Sequence, residues 1–515
     1  MNIRILTKRL RQISQIGFLL LFLFLFRHTD YTGSDTIPYA VNIFFRWDPL
    51  VAASVWLATK EIVTLLLPSL FVVLLTLVFA RAFCGWICPL GTLIDGAGYA
   101  IKPVVKRRLN LRYIKYMILF TVLVSALLGV QWLAFVDPFS LLVRGFSFSV
   151  DPVVNAIVTN FFDTIYINGP SWLSGLTEPV YDVLKAYVLP YKQSFFYLSM
   201  LSFVLLGAIF AMELISKRFW CRNLCPLGAM LALISKLSFF KRLPLSACRK
   251  CEMCIDQCRM DAFSPENRIH TEECNLCMDC LEYCDRKISR FTFSAKPSRQ
   301  RVDLSRRQLV ASGAAGVVLW SLTRVDAAAK VPSPSVIRPP GALDEAEFMA
   351  SCVRCGECMK VCIQNALQPV FMEKGAEGMF TPKLVPRLGY CEFNCTLCGQ
   401  VCPTGAIQRL SIQEKHAFVI GKAYVDKNKC LPHAFAKPCI VCEEHCPTHT
   451  KAIQFHTVIT KDEAGKKQEL KQPFVIESLC IGCGICENIC PVDGNAAIRV
   501  VAKSSQAPVS GGYSI

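Results

Sequence analysis

Histidine is scarce in this chain, with seven among 515 residues. None lies inside a long apolar run, and only His28 flanks one. That absence excludes a membrane haem held by two histidines. Phosphate-binding glycine loops are missing too. The nearest approach is "GAAG" at Gly313–Gly316, too short for a nucleotide fingerprint. No nucleophile beside a base and no flavin fingerprint stands out, so nothing supports catalysis beyond electron transfer. Acid is short as well: 39 acidic residues face 56 basic ones, a formal charge of +17. The excess base does not form a nucleic-acid surface, because it collects in short loops between apolar runs.

What is present in quantity is apolar sequence and cysteine. The chain is 53% hydrophobic with 28 cysteines. Apolar runs cluster before residue 216, at 13–26, 62–80, 113–136 and 194–212. A spanning helix needs about 20 apolar residues, so the last three qualify and the first needs its flanks. Residues 1–12 hold four basic residues and no acid, 81–115 seven against one, and 217–242 six against none. Loops 27–61 and 137–192 are acidic on balance. Positive charge stays on the cytoplasmic side, which predicts four spans with both ends inside.

The membrane part repeats itself. "RAFCGWICPLG" from Arg81 and "RFWCRNLCPLG" from Arg218 align at an offset of 137 residues. Cys84 matches Cys221, and Cys88 matches Cys225. "WDPL" at Trp47 echoes "VDPF" at Val136. Two parallel hairpins related by an axis along the membrane normal would bring the four thiols together at the inner face. Such a set can hold an iron–sulfur cluster, zinc or copper, work as a dithiol pair, or simply pack. Glu213, near the inner end of the fourth run, and Asp48 and Asp137, on the outer side, are candidates for a quinol site.

The other 24 cysteines form six groups. Cys248, Cys251, Cys254 and Cys258 have the spacing C-x2-C-x2-C-x3-C, as do Cys274, Cys277, Cys280 and Cys284, and Cys352, Cys355, Cys358 and Cys362. Cys391, Cys395, Cys398 and Cys402 widen the first gap by one residue. Cys430, Cys439, Cys442 and Cys446 stretch it to eight, and Cys480, Cys483, Cys486 and Cys490 return to the regular form. This is [4Fe–4S] ferredoxin spacing, in which three thiolates grip one cluster and the fourth ligates its neighbour. Six clusters, or about 24 iron, are therefore expected. Crossing assigns Cys248, Cys251 and Cys254 to Cys284, and Cys274, Cys277 and Cys280 to Cys258. For the last four groups, adjacent and nested pairings both satisfy the rule.

Arg306-Arg307 followed by the apolar run Leu309–Leu322 looks like a twin-arginine export signal in mid-chain. That route exports folded, cofactor-loaded domains. "AAAK" at Ala327–Lys330 resembles a cleavage site, although the run can also stay as a fifth helix. The expected plan is an α-helical membrane domain (1–240), a cytoplasmic two-cluster ferredoxin domain (241–300) and the signal or fifth span with its linker (301–340). A four-cluster α+β ferredoxin domain (341–505) and a tail (506–515) follow.

Residues 1–300, with two C-x3-C-P motifs and a two-cluster tail, resemble NapH-type membrane ferredoxins. Residues 304–505, with Arg306-Arg307 and four cluster motifs, resemble NapG-type periplasmic ferredoxins. The MauN and MauM pair is similar. In that family the two are usually separate proteins, so the resemblance implies a fusion in a bacterial inner membrane. It implies oxidation of the quinol pool and electron delivery to a periplasmic multihaem cytochrome or reductase, nitrate reductase above all. The alternative it implies is an assembly factor that supplies electrons to a maturing periplasmic enzyme. It also suggests nested pairing: Cys352, Cys355 and Cys358 with Cys490, Cys480, Cys483 and Cys486 with Cys362, Cys391, Cys395 and Cys398 with Cys446, and Cys430, Cys439 and Cys442 with Cys402.

Overall fold

A computed structural model describes residues 3–104, 111–190, 192–243, 257–263, 269–282, 290–294, 302, 304–328, 336–461 and 467–503. Cys248, Cys251, Cys254 and Cys284, which share one expected cluster, lie outside these residues, as do Ala329, Lys330 and the tail from 504.

Helix α1 (Ile3–His28) is the yardstick of the helical part. At 1.5 Å per residue it is about 39 Å long. Its first half touches the first ferredoxin module: Lys8 pairs with Glu282 at 2.8 Å and Arg11 with Asp279 at 3.2 Å. Its other end meets the second module, where Lys360 stands 4.0 Å from the Phe26 ring. The two modules therefore sit at opposite ends of one helix, called here the inner and outer ends.

The first repeat continues as α2 (Pro49–Thr59), α3 (Ser69–Phe79), a π turn over Phe83–Ile87 and α4 (Pro89–Ala100). Helix α5 (Tyr113–Leu127) leads to α6 (Pro138–Asn168), which carries a π turn at Phe146–Val150, and to α7 (Ser171–Tyr187). The second repeat comprises α8 (Ser199–Ala211), α9 (Phe219–Asn223) and α10 (Pro226–Ser235). Both long C-x3-C motifs end in proline, which starts α4 and α10 at a position where its missing N–H costs nothing.

The spans differ from expectation. Among the described residues two helices are long and apolar enough to cross a membrane, Leu6–His28 and Pro138–Asn168. The second falls in what the charge balance marked as an outer loop. The runs at 62–80, 113–136 and 194–212 form the shorter helices Thr64–Phe79, Tyr113–Leu127 and Ser199–Leu214. Gly129, at φ +84°, stops α5 where its apolar sequence continues.

The inner module carries a two-stranded sheet in which β1 (Phe240–Leu243) runs antiparallel to β2 (Arg290–Phe293). The signal-like segment is α11 (Arg306–Ala328), a 23-residue helix lying along α5. Thr121 Oγ1 donates to Ser312 O at 3.0 Å, and a Cβ on Gly316 would stand 2.9 Å from Thr121 O. The outer module, 336–503, is built of short helices around small antiparallel pairs. In the largest, β3 (Ile453–Lys461) pairs with β4 (Lys467–Val475), Ile453 opposite Val475.

The charged loops find protein partners. At the inner end Arg81 and Lys115 converge on Glu273, Arg222 and Arg112 on Asp261, and Arg218 and Arg259 on Asp95. At the outer end Lys360 pairs with Asp30 at 2.6 Å and with Asp151 at 3.4 Å. Ser140 Oγ donates to Val353 O at 3.2 Å, and Asn42 Nδ2 to Val401 O at 2.9 Å. The basic and acidic loops thus do more than set orientation: each dresses one docking face.

Candidate redox centres

In the outer module the cysteines gather by adjacent pairs. Cys352, Cys355, Cys358 and Cys402 line one otherwise mostly apolar cavity of about 360 Å³. Cys430, Cys439, Cys442 and Cys490 line a second of about 380 Å³, and Cys446, Cys480, Cys483 and Cys486 a third of about 350 Å³. Cys362 stands within charge-interaction range of Cys391, Cys395 and Cys398. The nested pairing is overturned. Cys490 belongs with Cys430, and Cys402 with Cys352, because each motif folds against its neighbour in sequence. At the inner end Cys258 lies with Cys274 and Cys277, as the crossing rule expects.

The four outer sets form a line. The first set, on Cys352, adjoins the helical part through Ser140 and Val353. The second follows, with Cys358 within reach of Cys398. The N–H of Cys391 donates to Cys483 O at 2.9 Å, joining the second set to the third. Cys486 and Cys442 link the third to the last. These thiols are pinned by backbone as well: Ala423 N–H donates to Cys480 Sγ at 3.4 Å and Ile407 N–H to Cys402 Sγ at 3.4 Å. Burial pushes the Cys442 and Cys483 thiols up to about 12, so metal loading must displace their protons.

Cys84, Cys88, Cys221 and Cys225 also come together, and every pair among them is within charge-interaction range. Their loop touches the inner module, since Trp86 Nε1 donates to Leu276 O at 3.0 Å and a Cβ on Gly85 would stand 2.3 Å from Asn275 O. Among the described residues every cysteine is a free thiol, and no three His, Cys, Asp or Glu side chains are placed to hold a single metal ion.

The expected quinol residues are placed otherwise. Asp48 and Asp137 are fully buried. Asp48 Oδ1 accepts from Leu50 N at 2.7 Å and caps α2, and Asp137 Oδ2 accepts from Ser140 N at 2.7 Å and caps α6. Their other oxygens, Asp48 Oδ2 and Asp137 Oδ1, are buried without a partner, and burial pushes both carboxyls up. Glu213 is buried, with Oε1 left without a partner.

Sequence reasoning passed over Arg81, Arg218 and Asp95 as site residues. The signal was in the repeat itself, where both arginines stand three residues before the first cysteine.

Comparison with known proteins agrees with this layout. A family described as "4Fe-4S binding domain" matches residues 62–112, 198–244 and 398–421. A "4Fe-4S dicluster domain" matches 351–406, which spans the first two outer sets as one unit, and a further "4Fe-4S binding domain" matches 473–494. The "Methylamine utilization ferredoxin-type protein MauM" of Methylorubrum extorquens is 36% identical over 207 residues, 39% of this chain and 90% of that protein. The MauM of Methylophilus methylotrophus is 34% identical over 43% of this chain and 94% of its own length. "Ferredoxin-type protein NapG" of Escherichia coli is 34% identical over 33% of this chain and 71% of its own. No solved structure matches. With four-cysteine sets in ferredoxin order and these relatives nearly covered, the chain belongs to the MauM and NapG family of iron–sulfur ferredoxin-type proteins.

Proposed function

We propose that this protein is a membrane-anchored conductor that joins an inner ferredoxin pair to a four-site outer ferredoxin and serves a periplasmic redox enzyme. The observation that carries it is the line of cysteine sets, with modules fixed at opposite ends of α1. In this reading Cys352, Cys355, Cys358 and Cys402 form the first outer site, and Cys362 with Cys391, Cys395 and Cys398 the second. Cys446 with Cys480, Cys483 and Cys486 forms the third, and Cys430, Cys439, Cys442 and Cys490 the last. Cys258, Cys274, Cys277 and Cys280 hold the described inner site. Bound [4Fe–4S] clusters supply one-electron chemistry. The chain's own residues hold each centre, exclude water and fix the order.

The membrane part crosses the bilayer in this reading, with α1 and α6 as full spans, α11 as a retained helix and the shorter helices completing the bundle. The apolar outer surface of α1, with Ile13, Ile16 and Leu20 exposed, supports it. Quinol as the donor, which the resemblance implies, has no support at Asp48, Asp137 or Glu213. Supply of electrons to a maturing enzyme needs no quinol site and accords better with that burial.

The test is sided electron transfer. The full chain in proteoliposomes, with a reduced soluble ferredoxin outside and ferricyanide trapped inside, should reduce the ferricyanide one electron at a time. Valinomycin and potassium would carry the compensating charge. Failure of this transfer in vesicles whose clusters are intact by EPR, with or without quinone, would reject the conductor. Transfer only with added quinone would move the assignment to the quinol reading.

A further inference from the structure

We propose that Cys84, Cys88, Cys221 and Cys225 form one iron–sulfur site shared between the two membrane repeats, with Arg81 and Arg218 as its crossed counter-charges. This rests on the conductor reading and adds a seventh centre to it.

The arginines carry the argument. Each belongs to one repeat and reaches over the other. Arg218 donates to Cys84 O at 3.3 Å and Gly91 O at 3.2 Å in the first repeat, and is held by Asp95 at 2.7 Å. Arg81 lies over the second repeat, with Nη2 2.8 Å from where a Cβ on Gly228 would stand. Gly228 thus leaves space for the guanidinium of the other repeat. Arg81 is fully buried, beside Cys84 and Cys225. Its Nη1 meets Glu273 at 3.1 Å, but Nε and Nη2 have no partner. A buried guanidinium with two unused donors beside four thiols calls for an anion there.

The thiols come from both repeats and meet at one place, where all six pairs lie within charge-interaction range. A cubane spreads its ligands around four irons and, with four thiolates, is a net anion. Cys88 and Cys225 each stand immediately before a proline-started helix, and Gly228 N–H donates to Cys225 Sγ at 3.3 Å. Helix starts favour negative charge. Mere packing of apolar thiols would not require two charged side chains, each nearly or fully buried, crossing between repeats.

The test uses the full chain, purified anaerobically in detergent. Iron should approach about 28 per chain, and a quadruple serine variant should lose about four. Cys84→Ser with Cys88→Ser should lose the same four, because one repeat alone cannot keep the centre. Losses that add between the repeats would overturn the shared site, as would unchanged iron in a folded quadruple variant or zinc recovered in place of iron. Where serine variants fail to fold, Arg81→Gln and Arg218→Gln give a second readout. Each should lower the midpoint potential of one EPR signal, and Arg81→Lys should largely restore it. Signals indifferent to both arginines would reject their role. Wild-type iron near about 24 with intact transfer would reject only this site, whereas iron well below about 20 would reject the conductor itself.

Discussion

Single residues in this protein are best understood through the charge that faces them. Burial would push the Asp95 carboxyl up, but Arg218, backed by Arg259 and Gln15, holds it well below the usual carboxylate range. A depressed carboxylate stabilises above its unfolded pKa of about 4 and loses that contribution as pH falls below it. Docking of the inner module should therefore hold from neutral pH to about pH 4 and weaken under stronger acid. Protease release of residues 257–294 along a pH series checks this, and Asp95→Asn should release them already at neutral pH. The aspartate pair makes the opposite case. Asp137→Asn keeps an oxygen for the Ser140 cap and supplies a permanent proton donor to Asp48, so stability should change little. Asp137→Ala removes the cap and should cost about 0.5–2 kcal/mol, read by thermal unfolding. Loss of electron transfer in the well-folded Asn variant would return the pair to the quinol-site reading. The sequence displayed both aspartates by repetition, but burial is a property of the assembled core, and no spacing rule reveals it.

Elements show where sequence patterns suffice and where they stop. Cysteine spacing located every described set, because three ligands come from one loop and the loop is local. The fourth ligand depends on which motif folds onto which. Adjacent assignment makes a sharp prediction. Cys355→Ser and Cys490→Ser fall in different sites, so a double variant should lose about eight iron where each single loses about four. Cys355→Ser with Cys402→Ser should lose only about four, since both fall in one site. Reversed additivity, measured as iron per folded chain, would return the nested scheme. Helix lengths failed for a related reason. Apolar runs mark what is buried, but Gly129 and the docked modules decide where α5 and its neighbours end. In α11 the signal-like pattern was visible, and its packing was not. Gly316→Leu would drive a side chain into Thr121 and Val124 of α5. Overpacking of this kind typically costs about 1–3 kcal/mol, and a lowered melting temperature in the intact chain would show that α11 is retained as a packed helix.

At the scale of the whole molecule the two modules are closer than a bilayer suggests. Arg11 of α1 pairs with Asp279 of the inner module, and Phe26 lies under Lys360 of the first outer site. Fifteen residues of helix separate them, a rise of about 22 Å, against about 30 Å of hydrocarbon. Both modules must then sink into the ends of the helical part, which is why its ion pairs are buried. Sidedness follows as the remaining prediction. A reporter fused after Ile515 should be active only outside the cytoplasm, and one near Ser298 only inside. Arg306→Lys with Arg307→Lys should trap the outer module inside if the export pathway reads this segment. Lys360→Glu separates export from docking. It leaves the export segment untouched but sets a buried like charge against Asp30 and Asp151, so the module should still reach the outside and there become accessible to added protease. A C-terminal reporter that reads cytoplasmic in the unmodified chain would place both modules on one side and sever the line of centres from any partner beyond the membrane.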